Sequence, residues 1–361
     1  MRKLLVIGAG EAQLAGILRA RDLGCTVVAV DANPAAPGLK LADRALVADI
    51  KDPVPILALA RTERIEGVCA FSVEAAVRTV AAVAEALGLP GPSLAAAINA
   101  TDKRRMRELW AAAGLPSPVS IPSHSLNEAA AAAALLGYPV VVKPADSAGS
   151  RGVSRVDEAA GLAVAFNAAR THAAGGTVLV EAFMEGVEMS VEGFMTGGRF
   201  VPLACSDKFR TRPPYLLDTT VLFPSEQPDS IQARAIDIVG RAALALGLDT
   251  APVHAEVMVT PQGPMLVELA ARGPGFKVFT GMLPWVTGID GVGELIRMSL
   301  GEKNTFRTPH RRGAVLRFPE VAPGRVARIT GVETARRVPG VSELEVYCRE
   351  GDTVRPLTSG A

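Results

Sequence analysis

APVHAEVMVTPQGPMLVELAARGPG, residues 251–275, holds two apolar runs around a short turn. Each run is rich in residues that suit a buried strand, and Gln262-Gly263 between them predicts a β-hairpin. Each run also carries a carboxylate, Glu256 in the first and Glu268 in the second. An unpaired carboxylate is costly to bury. Two of them on facing strands repel unless a divalent cation lies between them. Neutralising either is therefore expected to stabilise the metal-free protein. Arg272 and the turn Gly273-Pro274-Gly275 follow at once, which sets a cation and a flexible turn beside the pair. His254 lies two residues before Glu256, so on a strand both face the same side and His254 becomes a candidate substrate contact. The competing reading is two exposed strand-edge acids beside a structural histidine.

Outward from this hairpin, 361 residues exceed one typical domain, and two or three packed units are expected. Hydrophobic residues make up 49% and charged residues 21%, which suits a soluble globular chain with large cores. Lys plus Arg number 38 against 37 Asp plus Glu, which argues against a broad surface for nucleic acid. Cys25, Cys69, Cys205 and Cys348 are far apart and form no CxxC pair. They read as reduced cytoplasmic thiols, with no disulfide framework or zinc site. The opening MRKLLVIGAGEAQ is a first strand, too short to span a membrane and without a signal-cleavage pattern.

Strand and helix patterns alternate over residues 1–112, which predicts a doubly wound parallel sheet. A second unit, 113–186, holds strands YPVVVKP, GVSRVD and TVLVEAF and an Ala-rich core-facing helix at 129–135. A third, 187–307, holds the hairpin and the strands MSVEGFM and RFVPLACSDK, and ends on the helix GVGELIRMSLG. The tail, 308–361, mixes GAVLRF, RVARITG and SELEVYC with Pro/Gly turns and reads as a small β-rich appendage.

Other stretches carry chemistry. GAGEAQ follows the first strand and offers backbone amides to an anion, with Asp31 as a ribose partner. Gln13 replaces the third glycine of a dinucleotide fingerprint, so a nicotinamide dehydrogenase is the weaker reading. In VVVKPADSAGSRGV an apolar strand delivers Lys143 to a loop of small residues, Ser147 to Gly152, that lets backbone amides close over phosphates. An ordinary hairpin turn is the plainer alternative. TDKRRMRELW places Lys103 at a helix start capped by Thr101 or Asp102, or it is only a solvated basic face. TVLVEAFMEGVEMSVEGF ends a strand with free backbone groups at Ala182 to Met184, suited to adenine edges, and sets Glu188 to hold ribose hydroxyls. Ser72 and the cysteines lack a base at a recognisable spacing, so no covalent nucleophile is indicated. Phe276, Phe279 and Trp285 either line an apolar pocket or pack in the core.

Taken in order, these motifs resemble the ATP-grasp superfamily over about residues 1–340. Within it the chain is most similar to carboxylate–amine ligases of the L-amino acid ligase type, on HAE, ELAAR, VVAVDANPAAPG and ALGLPGPS. Phosphoribosylglycinamide synthetases, phosphoribosylaminoimidazole carboxylase ATPase subunits and carbamoyl-phosphate synthase large chains share much of the pattern. The resemblance implies an α/β and α+β architecture. A Rossmann-like parallel-sheet domain precedes two α+β units that clamp the nucleotide, and a small β-rich C-terminal subdomain follows.

It also implies roles. Lys103 and Lys143 are expected at the ATP phosphates, under a loop that includes Ser147, Ser150 and Gly152. Glu181, Phe183 and Met184 are expected at the adenine hinge and Glu188 at the ribose. Glu256 and Glu268 are expected to hold magnesium, with manganese as an alternative, Arg272 to steady an acyl phosphate, and Lys208 and His254 to approach the γ-phosphate or substrate. The implied reaction joins a small-molecule carboxylate and an amine at the cost of ATP, in the cytoplasm, in a monomer or a homodimer, without nucleic acid or membrane. The alternatives are a carbamoyl-phosphate-synthase-like or phosphoribosylglycinamide-type enzyme, or a regulatory nucleotide binder without turnover. The chain departs from many relatives in carrying Ala270 where they have the Asn of an ExN motif. Relatives usually continue beyond a stretch like GDTVRPLTSG, so a shortened C-terminal subdomain is expected.

Overall fold

A computed structural model describes residues 1–306 and 312–356. The strands β1 (Lys3–Ile7), β2 (Thr26–Asp31), β3 (Arg44–Val47) and β4 (Gly67–Cys69) form a parallel sheet in the order β3-β2-β1-β4. Consecutive apolar residues in β1 and β2 suit strands covered on both faces, and Leu4 to Ile7 and Val27 to Val30 are fully buried. The helices Leu14–Asp22, Pro53–Glu63 and Val77–Leu87 alternate with these strands. The first loop satisfies itself. Asp31 accepts the Ala9 amide at 2.7 Å and the Asn33 amide at 2.9 Å, and Gln13 donates to the Phe71 carbonyl. The carboxylate a dinucleotide ribose would need is therefore already spent.

The next unit is an antiparallel sheet of β5 (Ser120–Ser123), β6 (Val140–Pro144), β7 (Ser154–Val156) and β8 (Val178–Ala182), in the order β5-β8-β6-β7. The helices Leu126–Leu136 and Ala159–His172 back it. Ala129, Ala132 and Ala133 turn their small side chains to the sheet, so the first helix approaches closely.

A six-stranded antiparallel sheet follows, with order β13-β12-β9-β10-β11-β14. Its strands are β9 (Val187–Thr196), β10 (Arg199–Arg210), β11 (Asp218–Phe223), β12 (Ala251–Thr260), β13 (Gly263–Ala270) and β14 (Ala314–Arg317). The helix Asp229–Ala245 covers one face through Ala235, Val239, Ala242 and Ala243. A division at residue 308 cuts across this sheet, because β14 pairs with β11. Among the described residues, the tail beyond it contributes the short ladder of β15 (Gly324–Arg325) and β16 (Thr353–Val354) and a short helix, Val332–Arg336, and SELEVYC forms no strand.

The helix Gly291–Ser299 belongs by sequence to the third unit but packs on the first. Arg2 donates to the Leu300 carbonyl at 2.7 Å, and Arg19 pairs with Asp290 at 2.7 Å. Of the three aromatic residues considered for a pocket, Phe279 is buried against Phe194, while Phe276 and Trp285 are each 48% exposed. The four cysteines form no disulfide. Among the described residues no helix is long and apolar enough to cross a membrane.

Candidate active site

The hairpin of β12 and β13 sets the floor of a cleft under the sheet of β5 to β8. Gly263, at φ 117°, makes its tight turn, and Thr260 donates to the Gly263 carbonyl at 2.9 Å. In this register Glu256 lies directly opposite Glu268. The ladder then shifts, pairing Val257 with Leu266, so Val267 is left over as a β-bulge. Bulges re-aim neighbouring side chains and recur beside active sites. Both glutamates line the cleft, as do Lys103 and Lys143 from other elements.

Each glutamate has its own cation. The Lys208 ammonium lies 2.6 Å from Glu256, 2.9 Å from Asp218 and 3.5 Å from Glu188. The Lys103 ammonium lies 2.9 Å from Glu268 and donates to the Ser147 carbonyl at 2.5 Å. The facing acids are thus not two bare like charges, and relief of repulsion is not the main effect of neutralising one. Burial works against the charged form of Lys103, but Glu268, Glu74 and Glu256 outweigh it and its pKa rises. Burial also opposes the Lys208 ammonium, and Glu256, Asp218 and Glu188 raise its pKa. Burial would raise the pKa of Glu256, but Lys208, His254 and Arg210 hold it well below the usual carboxylate range.

Lys143 stands at the end of β6, and its ammonium lies 2.7 Å from Glu181 on β8. Burial, helped by Arg107 and Lys103, lowers the Lys143 pKa. Glu181 is buried too, but Arg107 and Lys143 bring its pKa down to about 2. Both its oxygens are taken, so its side chain holds Lys143 where the sequence reading expected an adenine contact. Arg107 donates to Glu181 through Nε at 2.8 Å and Nη2 at 3.1 Å.

Ser147, Ser150, Phe183 and Met184 line the same cleft, as does Glu181. Gly152 does not: it packs on the helix Ala159–His172, where a Cβ would meet the Ala168 carbonyl at 3.0 Å. At the hinge, Ala182 and Phe183 already donate to the Val119 and Pro139 carbonyls, which leaves the Met184 amide for a base edge. The Phe183 ring carries the Arg155 guanidinium at 4.2 Å.

Glu188 shares a face with Met258 and Lys208, its partners across β12 and β10. It pairs with Arg210 as well as Lys208. Burial, together with Glu256 and Asp218, pushes its pKa up to about 7. Glu188, Asp218 and Glu256 can bring ligand atoms within 4.8 Å of one another, but the Lys208 ammonium sits among them. The pair Glu256 and Glu268 fits a divalent cation better. These are oxygen donors of the kind magnesium takes, and both line the cleft, where a cation would take the place of the Lys103 and Lys208 ammonium groups.

His254 does not line the cleft. Its Nδ1 lies 2.7 Å from Glu192 and its Nε2 3.8 Å from Glu256. Burial opposes its charge, yet Glu192 and Glu256 raise its pKa to about 9. Its place makes it a support for Glu256. Arg272 pairs with Glu74 of the first domain at 2.6 Å and walls a second, mostly apolar crevice between β4 and β12. Burial opposes the Arg272 cation, and Glu74, Glu268 and Glu256 raise its pKa.

Sequence reasoning passed over Arg107, Arg210, Asp218, Glu192 and Glu74. Two of them carried a periodic signal. Arg107 is four residues past Lys103 on one helix, and Arg210 is two past Lys208 on one strand. Glu74 carried none, because only the packing of separate domains brings it to Arg272.

Residues 136–279 match the ATP-grasp domain family. The chain carries an ATP-grasp domain. Beyond it, residues 317–361 match the L-amino acid ligase C-terminal domain 2. The chain is 27% identical over 239 residues to the alanine–anticapsin ligase of Bacillus subtilis, a match covering 60% of this chain and 49% of that one. It is 35% identical over 187 residues to the formate-dependent phosphoribosylglycinamide formyltransferase of Burkholderia pseudomallei, covering 50% of this chain and 46% of that one. The chain spans about half the length of the curated relatives it matches. The crystal structure of L-amino acid ligase from Bacillus licheniformis superposes with a TM-score of 0.84 at 24% identity, over 99% of this chain and 90% of that one. That likeness shows the ATP-grasp fold, with its leading parallel sheet and small C-terminal sheet.

Proposed function

We propose that this chain is an ATP-dependent carboxylate–amine ligase, forming an amide or peptide bond and releasing ADP and phosphate. One observation carries the reading. Glu256 and Glu268 face each other across a hairpin at a cleft floor, while Lys103, Lys143 and Lys208 reach the cleft or its glutamates from three separate elements. That set suits transfer of a phosphoryl group between anions, where catalysis is mostly positioning and charge stabilisation.

Magnesium held by Glu256 and Glu268 would supply charge neutralisation at the phosphate oxygens. Lys103 and Lys143 bind the phosphates. Val141, Met258 and Val267 give the base apolar walls. The substrate carboxylate attacks the γ-phosphorus, so a new O–P bond forms as the bond to ADP breaks. Arg272 steadies the resulting acyl phosphate. The amine then attacks the acyl carbon and phosphate leaves with the C–O bond pair, while the amine proton passes to solvent. The loop around Ser147 and Ser150 covers the cleft and keeps water off the acyl phosphate. No covalent bond to the protein is needed. The soluble, cytoplasmic setting and a homodimeric assembly are part of the same reading.

The test is ADP release screened against paired carboxylates and amines, with mass spectrometry of the product. An amide product with stoichiometric ADP is expected. ATP binding without any ligation product across a broad panel overturns the ligase reading and favours a regulatory nucleotide binder.

A further inference from the structure

Arg107 does not line the cleft, yet it contacts two of the strands that do. It sits on the helix Lys103–Ala112, four residues past Lys103, with a side chain only 6% exposed. Its guanidinium spans three elements. It grips both oxygens of Glu181 on β8, and through Nη2 it donates to the Val267 carbonyl at 2.8 Å. Val267 is the bulged residue next to Glu268. Glu181 in turn holds the Lys143 ammonium at 2.7 Å. The guanidinium also lies over the Trp110 ring at 5.4 Å, and Trp110 is pinned by a hydrogen bond to the Ala242 carbonyl.

We infer that Arg107 is a positioning residue for the phosphate site, acting through Glu181 on Lys143 and through the Val267 bulge on Glu268. The inference rests on the nucleotide-binding reading above. A planar fork is required, since three donor contacts leave Arg107 in fixed directions to two strands of different sheets. A lysine there keeps the charge but reaches one acceptor at a time. Glu181 would then be free to turn and carry Lys143 with it. Arg107 also lowers the Lys143 pKa and holds that of Glu181 down, so it sets the charge pattern that the phosphates meet.

The experiment is calorimetric titration of MgATP into the full chain and into Arg107→Lys, Lys143→Met and the double variant, with a melting curve for each. Arg107→Lys is expected to weaken ATP about tenfold, in the range of a lost contact to a charged group. The same change is expected to cost little further affinity once Lys143 is Met, because the two residues act in series. If Arg107→Lys does not fold, the pair Arg107→Met with Glu181→Gln removes fork and carboxylate together and is read in the same cycle. Wild-type affinity in a folded Arg107 variant overturns the inference. So do losses that simply add to that of Lys143→Met, since they mark general packing. Failure of the unaltered chain to bind MgATP overturns the nucleotide reading itself and is seen before any variant is compared.

Discussion

Replacing Glu256 by Gln keeps the size of the side chain and removes one charge. From the two facing acids alone, the metal-free protein would gain stability. The contacts reverse that sign. At an effective dielectric of about 20, the Lys208 ammonium at 2.6 Å attracts Glu256 by about 6 kcal/mol and protonated His254 at 3.8 Å by about 4 kcal/mol. Against this, Glu188 and Asp218, with atoms within 4.8 Å, repel it by at least about 3 kcal/mol each when ionised. Glu188, with its pKa raised, ionises only in part near neutral pH. These attractions exceed these repulsions by up to about 4 kcal/mol, a margin that the burial of the Glu256 charge and the facing Glu268 reduce, and Lys208 keeps Asp218 and Glu188 as partners. A loss of about 2 kcal/mol is expected, below the range for a fully orphaned buried charge.

The assay is urea denaturation in chelator, with unaltered m-value as the check that the unfolded state has not changed. Glu256→Gln should unfold at lower urea than the parent, and Lys208→Met combined with it should recover part of the loss. ADP formation should fall to a small fraction in the single variant. A Glu256→Gln protein as stable as the parent or more so, in the absence of metal, would refute the claim that Lys208 and His254 outweigh the neighbouring acids.

Lys143→Ala should weaken MgATP by about 1.5–3 kcal/mol in calorimetry, and unchanged affinity in the folded variant would count against a phosphate contact. Glu188→Ala should alter affinity for inorganic triphosphate as well as for ATP, because Arg210 and Lys208 both lose a partner; a loss confined to ATP would restore a purely ribose role. Glu181 has its pKa depressed from 4.5 to about 2, so its contribution is fully present above pH 4.5 and is lost as pH falls through 2. That contribution is about 3 kcal/mol, and Glu181→Gln should flatten the acid limb of the stability curve over that window. A variant with the same acid limb as the parent would mean that other carboxylates carry it.

The strands and the hairpin were legible because they rest on local rules. Runs such as KLLVI and VVVKP are apolar over consecutive residues, and the Gln262-Gly263 turn leaves little choice of register for Glu256 and Glu268. The partners of those glutamates were not legible. Lys208 reaches Glu256 across β9, at a sequence distance of 48 residues, and only the strand order of the sheet states that they meet. The sequence also hid which acids were already in use. Asp31, Glu181 and Glu188 each look available in a linear reading, yet each is engaged by a neighbour in the fold. The tail is the limiting case. From residue 319 onward the described side chains are almost all exposed or half-buried, so no buried face imposed a strand period there, and SELEVYC kept β-like composition without a ladder to join. Composition predicts a strand where a covered face will select it. Where the fold covers nothing, the same composition predicts nothing.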